Sequence, residues 1–174
     1  PGVLTRFAKD YPLINVEVHC EPSALLLQRN DLDLTIVTRE PGTEMGQILR
    51  QERFVWMIAQ GFAPHEQTPL PLAMFNTDCF CRTWACNALD LMQREYRVAY
   101  TSASLAAINA VVSTGLAVTA QLESLLTTDL RVVGEAENLP LLPSASIVLM
   151  RKPNSVSSPI IECFAEYIVD GFKL

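Results

Sequence analysis

The chain has 174 residues, 49% hydrophobic and 18% charged, with no Gly/Ser/Pro-rich or like-charge tract; disorder and a long flexible linker are excluded, and the length allows one domain or two small lobes. Its 13 Lys plus Arg against 19 Asp plus Glu give a formal charge of -6, with basic residues scattered singly apart from Arg151-Lys152, a surface that repels the polyanionic backbone of DNA or RNA. Apolar runs such as Ala24 to Leu27 fall far short of the roughly 18 residues of a membrane-spanning helix, so no membrane partner is expected.

Leu4, Phe7 and Ala8 predict a first helix that ends near Tyr11-Pro12. Ile14, Val16, Val18 and Cys20 then alternate with polar residues, the period of a strand with one buried face. Ser23 is placed to cap a helix over Ala24 to Arg29. The apolar-rich Leu32 to Val37 reads as a strand covered on both faces, as in parallel sheets. A further strand is expected at Phe54 to Ala59, and helix–strand alternation over this first third is that of an α/β fold.

Three prolines, Pro64, Pro69 and Pro71, mark a change of lobe or a long loop. Beyond them a strand is predicted at Leu72 to Phe75, a helix from the spacing of Trp84, Ala88, Leu91 and Met92, and a short strand at Val98 to Tyr100. Leu105, Ile108 and Val112 form a buried helical stripe that Gly115 can terminate. Strands follow at Leu116 to Ala120, Leu130 to Val133 and Ser146 to Met150. Ser158 at the N-cap and Pro159 at the first helical position open a last helix with Ile161, Phe164, Ile168 and Phe172 on one face.

Five cysteines, an odd number without a preceding signal peptide, fit a reducing cytoplasm. Cys79, Cys81 and Cys86 lie close in sequence, with Arg82 between them. Inert packing is the commonest fate of such thiols, a redox-active thiol is the alternative, and a zinc site lacks a fourth ligand because His19 and His65 are remote. No phosphate loop, His-Glu-x-x-His or Gly-x-Ser-x-Gly is present and only two histidines exist, so neither catalysis nor a cofactor is expected. Glu52-Arg53 and Arg94-Glu95 read as solvated surface charges. The chain opens on Pro1-Gly2-Val3-Leu4 without Met, which suggests a start inside a longer protein.

Phe7-Ala8-Lys9-Asp10-Tyr11-Pro12 with the strand after it resembles an F-x-x-x-Y-P-x-V-x-L signature, and Asn30 to Val37 resembles G-x-L-D-L-A-I. Ser104-Leu105 through Gly115-Leu116-Ala117-Val118 is similar to an S-L…V-x-x-G-x-G-V segment, and Ser158-Pro159 opens a matching final helix. In this order the motifs resemble the effector-binding domain of LysR-type transcriptional regulators, over nearly all of the chain, and look closest to the motility and virulence regulators called LrhA, HexA and RovM. Asn30, Ala117 and Ala120-Gln121 depart from the family pattern.

The resemblance implies two Rossmann-like α/β lobes joined by two crossover strands, a periplasmic-binding-protein-like fold with a ligand cleft between lobes. The first lobe is expected at residues 1–60 plus 145–174 and the second at 61–144. It also implies a homodimer or tetramer, with contacts over Ile14 to Arg29 and Trp84 to Tyr100, and a separate N-terminal helix-turn-helix domain through which alone DNA is bound. Ligands of open α/β sheets bind beyond the carboxyl ends of strands. Those positions hold Ser23, Thr38 and Arg39 in the first lobe and Asn76, Thr77, Ser102 and Ser104 in the second. They are the expected contacts of a small-molecule effector, an anion being the class that Arg39 and a helix N-terminus favour; for Ser23 and Ser104 plain capping is the alternative. A periplasmic solute-binding protein shares the architecture, but the odd cysteine count opposes it.

Overall fold

A computed structural model describes residues 2–40, 42, 45–151 and 158–173; Lys152 of the basic pair lies outside them. The chain divides into two compact units, unit 1 from Pro1–Gln51 with Ser146–Leu174 and unit 2 from Glu52–Ala145. Two strands carry the chain across that division: β2 (Gln47–Ala59) contains the step from Gln51 to Glu52, and β7 (Ser144–Arg151) the step back at Ala145 to Ser146.

In unit 1, α1 (Gly2–Asp10) and α5 (Pro159–Phe172) pack through rings, Phe7 lying 4.4 Å from Phe164 and 5.5 Å from Tyr167 between centroids. A side chain on Gly171 would run into Val3, so the approach of these helices needs the missing Cβ. Ser158 is the N-cap of α5 and Pro159 follows it in the first turn, as the sequence predicts. β1 (Leu34–Arg39) pairs antiparallel with β7, Leu34 opposite Arg151 through Arg39 opposite Ser146, and stands at the end of the strand order β1–β7–β2–β5. The expectation of a strand covered on both faces fails here: β1 is an edge, Val37 alone of its residues is buried, and Ile36 is 41% exposed. The predicted strand at Ile14 to Cys20 is not formed: these described residues belong to no strand or helix.

The sequence of unit 2 builds a three-layer core. β2 lies between β5 (Thr119–Leu122) and β6 (Leu130–Val133), antiparallel to both. Its alternation sends Phe54, Trp56 and Ile58 into one cluster with Cys81, Ala85 and Leu89 of α3 (Phe80–Leu91). Met57 and Ala59 enter the other with Ile108 and Val112 of α4 (Leu105–Ser113). The helix that the spacing of Trp84, Ala88, Leu91 and Met92 predicts is α3; small residues at 81 and 85 let it sit close, Trp84 packs against the same cluster, and Leu91 is 86% exposed. β3 (Leu70–Met74) and β4 (Tyr96–Thr101) are parallel with α3 as their crossover, a βαβ unit. α4 ends at Gly115 with φ +76, a left-handed turn that glycine takes without strain.

Arg94 is no solvated charge: its guanidinium donates to the carbonyls of His65, Glu137 and Asn138, tying together the two loops they sit on. Glu52 is buried too, whereas Arg53 stays outside and pairs with Glu123 at 2.6 Å. Among the described residues no helix is long and apolar enough to cross a membrane.

Candidate functional site

The polar residues expected at strand ends fall into two groups, one in each unit. In unit 1, Ser23 is the first residue of the four-residue helix α2 (Ser23–Leu26), whose N-cap is Pro22. Ser23 is therefore not the cap of a helix over 24–29; its hydroxyl accepts from the Thr38 backbone N–H at 3.2 Å and fastens α2 to the carboxyl end of β1. Arg39 is the last residue of β1 and sits opposite Ser146 on β7. Arg39 Nη1 and Ser146 Oγ are both buried and neither has a hydrogen-bond partner among the described residues. The two residues stand at paired positions of neighbouring strands, and both groups can donate a hydrogen bond.

In unit 2 the carboxyl ends of β3 and β4 and the N-termini of α3 and α4 share one edge. Arg82 links them, donating from Nη1 to the Phe75 carbonyl at 3.0 Å and to Thr101 Oγ1 at 3.5 Å. Asn76 and Thr77 are exposed on the turn before α3, and the Asn76 carbonyl accepts from the Cys79 N–H. Ser102 Oγ accepts from the Ser104 N–H at 3.1 Å. Ser104 caps α4, accepting from the Ala107 N–H at 3.4 Å. Next to this edge Gln121 and Thr119 are buried, Gln121 Nε2 donating to Asn109 Oδ1 at 3.0 Å.

The cysteines divide by environment. Cys79 is the N-cap residue of α3, and its thiol is held down to about 6, first by the Cys81 thiol and then by the backbone N–H groups of Arg82 and Cys81, against the opposing pull of burial. Cys81 is pushed upward by Cys79 and by burial and lies in the core. All five cysteines are free thiols, and no group of metal-ligating side chains occurs among the described residues. Sequence reasoning missed Ser146 and Arg82. Ser146 is announced by its being the one polar residue of the run Ala145 to Leu149, and Arg82 by its position among the cysteines.

The LysR substrate binding domain family matches the chain over residues 1–173, and the chain belongs to that family. The HTH-type transcriptional regulator DgdR of Burkholderia cepacia is 33% identical over 174 residues, 97% of this chain and 58% of its own length. The HTH-type transcriptional regulator PecT of Dickeya dadantii is 26% identical over 157 residues, 88% of this chain and 50% of its own. The chain thus spans little more than half the length of these curated relatives. Among solved structures, the Synechocystis CcmR regulatory domain in complex with 2-PG aligns with TM-score 0.78 at 19% identity, covering 99% of this chain and 90% of that one. The reduced regulatory domain of OxyR2 from Vibrio vulnificus aligns with TM-score 0.66 at 18% identity, covering 97% and 87%. The effector binding domain of QuiR in complex with shikimate aligns with TM-score 0.69 at 13% identity, covering 99% and 90%. The fold is therefore the two-lobe, periplasmic-binding-protein-like α/β fold of LysR regulators, and the domain is their effector-binding regulatory domain.

Proposed function

We propose that this domain senses a small anionic metabolite and passes its binding, through self-association, to DNA-binding domains in a cytoplasmic LysR-type regulator. The observation that carries the anion is the pair Arg39 Nη1 and Ser146 Oγ, buried and without partners among the described residues, on residues paired across β1 and β7. Thr38 from unit 1 and Asn76, Thr77, Ser102 and Ser104 from unit 2 are the further contacts; Ser23, its hydroxyl already accepting from Thr38, positions that end of β1. The complexes of similar regulatory domains with 2-PG and with shikimate support a small-molecule effector. Kinship with the LrhA, HexA and RovM regulators is part of this reading and rests on the sequence motifs. The regulatory reading fits the relatives better than a transport protein does.

A thermal-shift screen of carboxylates and phosphorylated metabolites, followed by calorimetry, tests it. Arg39→Ala should weaken a hit at least tenfold and Ser104→Ala more modestly; unchanged affinity in both places the ligand elsewhere. Sedimentation at tens of micromolar, where a standard-sized interface is about fully populated, should show a dimer or larger, and a monomer alone would refute self-association.

A second reading has its own observation. The Cys79 thiol at the N-terminus of α3 is held down to about 6 beside Cys81, and a lowered thiol is the form that reacts with oxidants. If peroxide alters promoter binding by the intact regulator and replacing Cys79, Cys81 and Cys86 by serine abolishes that response, oxidation is the signal.

A further inference from the structure

The turn that opens α3 places two thiols in contact. Neighbours two apart on a helix do not face each other, but Cys79, as N-cap, keeps extended backbone (φ -81, ψ 116) while Cys81 lies in the first helical turn. Their side chains are hydrogen-bonded to each other. Cys79 is half-buried at the rim of one core cluster of unit 2, and Cys81 lies within that cluster with Phe54, Trp56 and Ala85. Cys86, the third thiol, has another partner, the hydroxyl of Tyr96 on β4.

The same turn seats Arg82. The Cys79 carbonyl accepts from the N–H groups of Arg82 and Thr83 at 3.0 and 3.3 Å, and the Cys79 N–H donates to the Asn76 carbonyl at 3.0 Å. Arg82 holds the ends of β3 and β4 through the Phe75 carbonyl and Thr101 Oγ1. Phe75 and Thr101 immediately precede Asn76 and Ser102, two of the expected effector contacts. A displacement of residues 79–82 therefore reaches that edge through one guanidinium.

Building on the reading in which oxidation is the signal, we propose that Cys79 and Cys81 form a hydroperoxide-driven dithiol switch whose disulfide unseats Arg82 and loosens the polar edge of unit 2. The Cys79 thiolate attacks the peroxide: an S–O bond forms, the O–O bond breaks, and the leaving oxygen takes up the proton that the thiol has shed, departing as water or an alcohol. The sulfur is oxidised to a sulfenic acid and the peroxide is reduced. The Cys81 sulfur then attacks the sulfenic sulfur; the S–S bond forms, the S–O bond breaks, and the Cys81 proton leaves with the hydroxide as water. The roles are not interchangeable. Cys79 is the lowered thiol, whereas Cys81 is held protonated first by Cys79 and then by burial. A neutral sulfenic acid at position 79 removes the first of these holds, so oxidation of one thiol readies the other. To bond, the sulfurs must pass inside hydrogen-bonded contact, which draws Cys81 out of the core and the turn with it.

The intact regulator, treated with hydrogen peroxide and then alkylated, is cut by trypsin after Arg53, Arg82 and Arg94, which puts Cys79 and Cys81 on one peptide and Cys86 on the next. The first peptide should resist alkylation and become lighter by a pair of hydrogens, with Cys86 alkylated as before. The Arg82 and Thr83 amides should exchange at least tenfold faster after oxidation, but not in Cys79→Ser, which keeps a capping side chain. Cys81→Ala should stop at a sulfenic acid that dimedone traps, with exchange unchanged. A disulfide that includes Cys86 or a second chain, or a Cys79 to Cys81 disulfide without faster exchange, overturns the proposal. A promoter response to peroxide without this disulfide overturns it too and leaves oxidation as the signal by another route. The disulfide and faster exchange with promoter binding unchanged uphold the switch and remove oxidation as the signal.

Discussion

Replacing Arg39 by Met should make the ligand-free domain more stable and deaf to its ligand. Methionine keeps most of the length of the side chain and removes Nη1, which is buried without a partner among the described residues. An unsatisfied buried polar group costs about 1–3 kcal/mol, and because Arg39 as a whole is only half-buried the lower part of that range applies, about 1–2 kcal/mol. For a chain of this size each kcal/mol moves the melting temperature by about 2–4 °C, so the variant should melt about 2–8 °C higher. A ligand at a hundred times its Kd stabilises the wild type by about 2.7 kcal/mol, a rise of about 5–11 °C that Arg39→Met should abolish. Differential scanning fluorimetry with and without the best hit from the metabolite screen reads both numbers. A variant that melts lower than the wild type without ligand would show that Arg39 is already satisfied in the free domain, and a variant that keeps its ligand response would remove Arg39 from the site.

Ser104→Ala removes the side-chain cap of α4 and should lower stability by about 1 kcal/mol, read by denaturant titration. Alkylation of Cys79 should follow a titration midpoint of about 6, and Cys81→Ala should move that midpoint upward; a wild-type midpoint near the ordinary thiol value would refute the arrangement. Asp31, lowered to about 2 by the Arg29 guanidinium, contributes its interaction fully above its ordinary value of 3.8 and loses it as pH falls through about 2. Its carboxyl carbon chemical shift should report this, and Arg29→Ala should return the midpoint to the ordinary carboxylate range.

Elements governed by neighbouring residues were legible in the sequence. Gly115 ends α4, Ser158-Pro159 opens α5, and β6 runs over Leu130–Val133 as the pattern predicts. The sequence misleads where the deciding partner is remote. Leu32 to Val37 carries the composition of a covered strand, but the neighbour of β1 is β7, more than a hundred residues away, and among the described residues its second side has no ladder. In α3 the helix is legible from the spacing, while its buried residues, the small Cys81 and Ala85 with Leu89, are set by the sheet it packs on. The site shows the same division. Ser104 is placed by its local capping pattern, but the pairing of Arg39 with Ser146 exists only through the register of two distant strands.

The discontinuity of unit 1 also orders the events of synthesis. Unit 2 is one uninterrupted stretch, Glu52–Ala145, and possesses all its strands and helices once Ala145 has left the ribosome. At that moment unit 1 still lacks β7 beyond its first residues and all of α5, so β1 has no ladder and Phe7 has no Phe164 to stack on. Domains fold as units during translation, and here the middle of the sequence has all its elements before the unit that begins ahead of it does. Arg39 waits through more than a hundred residues of elongation for Ser146. A nascent chain stopped at Ala145 would carry every element of unit 2 and would lack the Ser146 that stands opposite Arg39.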